Sequence, residues 1–340
     1  MTTTVPATAP GAATGAGTRA ATGTASGAAT GAGTRAATGT ASGTATRPDL
    51  VLALAGPIAG PPDPEVCRLL ELPPPPGAAA HTDVFVLETH PYASVHLGAE
   101  GMIGGDAGDR VAGFWRALGL VPPPEPDQLG TLLALYARLG AEEVRLPAGH
   151  RRRAVASARA ALLWEHLAPW ALVYLAAVAR VGDEFHRAWA ALARDALAGE
   201  VDGLAPRAEL PTALASAPPP LGLASRRELL DGLLAPVRSG MVVTRADLVR
   251  AGADLGLGVR RGERRFTLDA LVDQDAAGIL GWLGRLSAEW SSGHRAWHAG
   301  ALEPVGEWWA RRAAEAAGTL ERAAAEAAGT LERAAAEASG

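Results

Sequence analysis

From Pro64 to Trp297 the apolar residues of this chain recur three and four apart, and only two short runs, Val84–Leu87 and Met241–Val243, have the makings of a strand. A period near 3.6 marks helices that bury one face. The pattern therefore restricts the chain to an all-α, multi-helix globule with irregular connections.

The helix signals run in order. Pro64–Leu72 reads as a small helix carrying Cys67, a buried small hydrophobe, and Pro73–Pro76 must be extended. Asp106 is placed to cap a helix to about Leu118, with Val111, Phe114, Trp115 and Leu118 on one face and Gly119 ending it. Pro122–Pro126 forms an elbow, after which Asp127 stands where an N-cap belongs, ahead of Leu129, Leu132, Leu133, Tyr136 and Leu139. Helices are expected over Arg152–His166, after Pro169, from Asp183 to about Ala198, from the Ser225–Glu228 capping box to Leu234, from Thr244 to Ala251, and over Thr267–Trp297. The expected organisation is a low-complexity disordered tail over 1–47, a helical domain over 48–300 with sub-lobes 48–200 and 221–300 joined by a Pro-rich connection, and an Ala/Glu-rich helical extension over 301–340. Both tails are repetitive. Gly11–Ser26 recurs as Gly27–Ser42, and the 11-residue unit from Glu315 recurs from Glu326, which keeps Leu320 and Leu331 on one face of an exposed helix.

Composition removes several chemistries. All 31 basic residues are Arg, so no lysine-dependent phosphate loop, Schiff base or pyridoxal anchor can exist. One cysteine excludes an intrachain disulfide and a Cys-cluster metal site, and suits a reducing compartment. The net charge is −5, and the three Arg and no acid of residues 1–47 leave −8 for the rest, which disfavours nucleic acid and favours a basic partner. No apolar run reaches the roughly 20 residues of a membrane span. A cytoplasmic protein with no stable membrane insertion, no metal and no cofactor of its own is expected. His294 and His298, four apart, read as amphipathic surface histidines, because no third ligand is near. Leu255–Gly262 reads as a turn with a solvated basic edge, since no strand precedes it.

The richest stretch is Glu88–Leu139. Tyr92 and Ser94 sit in a loop around Pro91, and Glu125, Asp127 and Gln128 lie at the elbow, ahead of Tyr136. Trp164, Glu165, His166 and Trp170 are placed to close a cleft from the following helices. Carboxylates beside aromatic and aliphatic walls suit a peptide carrying arginines and then an apolar segment. The same residues fit a plainer role, with the two tryptophans as core and Asp127 as a helix cap.

Several pieces, in order and spacing, resemble the TorD/DmsD-type family of redox-enzyme maturation chaperones. These are His90–Ser94, Phe114–Gly119, Glu125–Leu129, Glu165–Trp170, Ser239–Met241 and Gly262–Phe266, spread over roughly 49–297. The resemblance implies a non-enzymatic, all-helical cytoplasmic chaperone. It would bind the twin-arginine signal peptide of an apo molybdoenzyme until the molybdopterin cofactor is inserted. The family often has Glu-Pro-x-Asp-His at the elbow; here the segment is one residue shorter and Gln128 replaces the histidine, so a titrating role is lost while hydrogen bonding is kept. Two other classes remain open: a nucleotide-binding (GTP) regulatory protein, and a helical adaptor recruited through the C-terminal repeat. A homodimer is compatible with the long connections.

Overall fold

The computed structural model describes residues 47–339, except 206, 208 and 261. The N-terminal repeat and its expected disorder thus lie outside the described residues up to 46, while Arg47 already begins a helix. The helices are α1 (Arg47–Ala59), α2 (Pro64–Leu69), α3 (Ala78–Thr82), α4 (Ala93–Leu97), α5 (Gly105–Ala117), α6 (Leu129–Arg145), α7 (His150–Ala161) and α8 (Ala171–Val181). They continue as α9 (Glu184–Asp202), α10 (Thr212–Ala215), α11 (Arg226–Leu234), α12 (Pro236–Ser239), α13 (Arg245–Leu255), α14 (Arg264–Gln274), α15 (Ala276–Trp297) and α16 (Glu303–Ser339). Two π-helical segments, Asp83–Glu88 and Leu162–Leu167, complete the regular structure with a 3₁₀ turn at Gly300–Leu302. The fold is all-α, and no strand occurs among the described residues. Val84–Leu87, the first candidate strand, lies inside the first π segment, and Met241–Val243 is a buried irregular link between α12 and α13.

Helix α8 is the axis of the core. Ala171–Ala177 are buried all round because α9, α15 and the first π segment cover it from different sides. A helix apolar on every face must be enclosed in this way. Helix α1 lies along α6, and Trp189 of α9 donates its indole N–H to the Leu54 carbonyl at 3.2 Å. α15 and α16 pair along their length. Gly284 leaves room for Leu320, and Ser287 and Ser291 donate their hydroxyls to the carbonyls of Ala313 and Ala310. From Val305 to Leu320 the inward face of α16 is buried, and Trp309 donates to the Pro169 carbonyl at 2.8 Å. The segment read as an exposed extension is therefore structural over its first half. Its side chains become largely exposed beyond Ala323, and that of Leu331 lies outside the described residues.

Most helix starts follow the sequence signals. Asp183, Ser225 and Asp275 accept from the backbone N–H three residues on, and Thr244 forms a reciprocal capping box with Asp247. Asp275 also breaks the long Thr267–Trp297 segment into α14 and α15. Two expected caps differ. Gly104, at φ 91°, precedes α5, and Asp106 is a first-turn residue. Gln128 precedes α6, and the Asp127 carboxylate turns elsewhere. Nor are His294 and His298 surface residues. They are buried, donating to the carbonyls of Gly240 and His294, and burial holds them near pKa 3 and 4. The glycine-rich loop after α13 is closed by Gln274, whose amide bonds both the N–H and the carbonyl of Gly258.

Among the described residues no single helix is long and apolar enough to cross a membrane. The bent pair His150–Leu167 and Ala171–Val181 has the length and composition when combined, but its second half is the core axis.

Candidate functional site

Prolines keep the His90–Tyr92 loop and the Pro122–Asp127 elbow out of regular helix; the elbow closes in a turn, with the Gln128 N–H on the Glu125 carbonyl at 3.4 Å, and the two segments meet at Tyr92 and Gln128. Ala93 donates to the Asp127 carbonyl at 3.0 Å and Leu129 to the Pro91 carbonyl at 2.7 Å, making one antiparallel bridge between Tyr92 and Gln128. Trp115 of α5 donates its indole N–H to the Pro126 carbonyl at 3.1 Å, which fixes the elbow against α5.

Three carboxylates of this region, Asp127, Glu88 and Glu165, are committed to backbone. Asp127, only 3% exposed, accepts from the Ser94 N–H at 2.9 Å and so caps α4 across a gap of 33 residues. Glu88 and Glu165 each lie in a π segment. Glu88 accepts from Ala246 at the start of α13 at 3.0 Å, and Glu165 from Thr212 at the start of α10 at 2.8 Å. A carboxylate at these positions satisfies helix N–H groups that have no partner within their own helix. Glu125 is different because it is exposed. Tyr92 donates its hydroxyl to one oxygen at 3.0 Å, and Gln128 its amide to the other at 2.8 Å. Each carboxylate oxygen has a second lone pair, so Glu125 can still accept from a partner. Burial, with the hydrogen-bonded carboxylate, holds the Tyr92 phenol above its ordinary pKa and keeps it a neutral donor.

The other expected members lie inside the body. Ser94 is fully buried, and its hydroxyl accepts from the Gly104 N–H at 3.0 Å. Tyr136 bonds Glu200 and packs beneath Arg159, between α6, α7 and α9. Trp170 donates to the His166 carbonyl and stacks on His96 with ring centres 5.3 Å apart. His166 lies 4.6 Å from the Phe114 ring, and burial lowers its pKa to about 4. Trp164 is 3% exposed, with the Arg207 guanidinium 5.6 Å above its ring. Tyr92, Glu125 and Gln128 are thus brought together at the surface, while the Trp164–Trp170 segment supports the wall from behind.

In front of these three lies a cleft of about 300 Å³, closed by the Pro122–Pro126 run, by Ile103 and by the outer face of α5 with Asp109 and Arg116. Asp109 and Arg116 make no ion pair among the described residues. Neither stands out in the sequence, where the apolar face of α5 carries the stronger pattern. Their spacing of seven puts them on one side of that helix, and this was the available signal. Among the described residues no group of three His, Cys, Asp or Glu side chains is placed to hold a metal ion.

Residues 77–174 match the family model described as nitrate reductase delta subunit.

That is the NarJ/TorD-type family of redox-enzyme maturation chaperones, which act on molybdoenzyme subunits and are not catalysts. The matched stretch contains the whole paired loop, the elbow, α5, α6 and both π segments, and so every residue of the site. It covers the N-terminal part of the region over which the sequence resembles this family. No curated protein and no solved structure gives a significant match.

Proposed function

We propose that this protein is a cytoplasmic maturation chaperone that binds the twin-arginine signal peptide of an apo molybdoenzyme, releasing it once the molybdenum cofactor is in place. The cleft of Tyr92, Glu125, Gln128, Asp109 and Ile103 is the peptide site in this reading. The observation that carries it is the exposed Glu125 carboxylate, held rigid by two donors inside the stretch that matches the delta-subunit family. A guanidinium can bond the remaining lone pairs of such a carboxylate without waiting for the side chain to order. The chaperone makes and breaks no covalent bond; it withholds the peptide from export.

Titration calorimetry of the full chain with a synthetic twin-arginine peptide tests this. Glu125→Ala should weaken binding about tenfold or more, the loss of one charge-assisted contact of about 1.5–3 kcal/mol, with the melting temperature unchanged. Equal affinity in the variant would remove Glu125 from the site.

A further inference from the structure

The link between α4 and α5 presents two large apolar side chains to water: Met102 is 66% exposed and Ile103 62%. The base of this link is fixed. On one side Gly101, at φ 63°, packs against the Leu234 carbonyl so closely that a Cβ would overlap it. On the other, the Gly104 N–H is tied to the buried Ser94 hydroxyl. Gly104 and Gly105 also have positive φ, which only glycine adopts without strain. The tip is therefore held outward by its two ends. Ile103 and Gly104 form the shared wall of two depressions. One is the cleft of Glu125, Asp109 and Arg116; the other is a groove of about 460 Å³ lined by Met102, Leu97, Ala213 and Pro218 together with Glu100, Asp106 and Arg110.

We infer that Met102 and Ile103 read the apolar segment of the partner peptide, which crosses from the Glu125 cleft over Ile103 into this groove. The inference rests on the peptide-binding reading above and adds to it which part of the peptide lies where. Continuity of the two depressions supplies the path, and the carboxylates outnumber the arginines on each side, Glu100 and Asp106 against Arg110 and Asp109 and Glu125 against Arg116, which tilts the path toward a peptide that brings basic charge. A methionine beside a branched aliphatic side chain accepts apolar residues of varied shape, as suits a reader of hydrophobicity rather than of one sequence.

The test uses the full-length protein and two peptides sharing the same arginines, one followed by a leucine-rich segment and one with those leucines replaced by serine. Wild type should bind the leucine peptide about tenfold or more tightly than the serine peptide. The double variant Met102→Ser/Ile103→Ser should bind both like the serine peptide, with an unchanged melting curve because neither side chain is core. A variant that keeps the full preference for leucine overturns the assignment, while a tenfold effect of Glu125→Ala in the same series would leave the cleft standing. If wild type binds neither peptide, the cleft reading falls and the inference with it. If the double variant changes only self-association in sedimentation, the tip is a contact between copies and the inference is overturned.

Discussion

Asp127 distinguishes a carboxylate that caps a helix from the one proposed to bind the peptide. The side chain is 3% exposed and accepts the Ser94 N–H at 2.9 Å, and Ser94 itself is fully buried. In Asp127→Ala that N–H loses its partner in a place water does not reach. A lost cap costs about 0.5–2 kcal/mol, and an orphaned buried donor about 1–3 kcal/mol, so about 2 kcal/mol is expected. With roughly 2.1 cal/mol/K of unfolding entropy per residue over 47–339, that lowers the melting temperature by roughly 3 °C. Asp127→Asn keeps an acceptor oxygen at the same place and should recover about half the loss. Calorimetric melting of the three proteins, with peptide titration well below the transition, makes the comparison. Binding per folded molecule should fall less than in Glu125→Ala. An Asp127→Ala protein that melts like wild type but no longer binds peptide would refute the capping role and return Asp127 to the recognition surface.

Other consequences follow from the same structure. Burial holds His90, His166 and His298 near pKa 4 and His96 and His294 near 3, while each takes a proton near 6.5 when unfolded. The unfolded chain then binds more protons between about pH 6.5 and 4, so stability falls as pH falls through that window, by up to about 1.4 kcal/mol per pH unit for each histidine. Urea midpoints should be clearly lower at pH 5 than at pH 7, and equal midpoints would contradict the burial. Trp309→Phe removes the donor to Pro169 while keeping a ring, and should cost about 1–2 kcal/mol by urea melting, with the cleft unaffected. Gly240 has φ 72°, and a Cβ there would overlap the Ala313 backbone. Gly240→Ala should therefore cost several kcal/mol and loosen α16, read as faster amide exchange over Val305–Leu320.

The class of fold and most helix starts were legible in the sequence because both are local. Apolar spacing sets the helix faces, and an Asp, Ser or Thr three residues ahead of a free N–H sets the start, as at Asp183, Ser225 and Thr244. The loop, the elbow and Glu125 were singled out for similar reasons, prolines and charge being visible in one dimension. What stayed hidden depended on partners far along the chain. Asp127 sits at a cap position by sequence, but its N–H partner is Ser94, 33 residues earlier. Nothing near Glu88 and Glu165 in sequence shows what they cap, because the N–H groups they accept from lie 158 and 47 residues further on. His294 looked solvated because the Gly240 turn it bonds lies 54 residues away, and His298 because the fold-back of α16 that sets Gly306 against it is not written in local spacing.

The sequence by itself determined an all-helical chain without lysine-dependent chemistry, an intrachain disulfide or a Cys-cluster metal site, and it singled out the stretch proposed to bind a basic peptide. Only the tertiary structure decided which carboxylates remain available to a partner. A carboxylate near an unfilled helix N-terminus is drawn to it, since those N–H groups have no partner of their own. After Asp127, Glu88 and Glu165 are taken in this way, Glu125 stays exposed, beside an apolar tip whose outward pose depends on Ser94 of the adjoining helix and on Leu234 from a distant part of the chain.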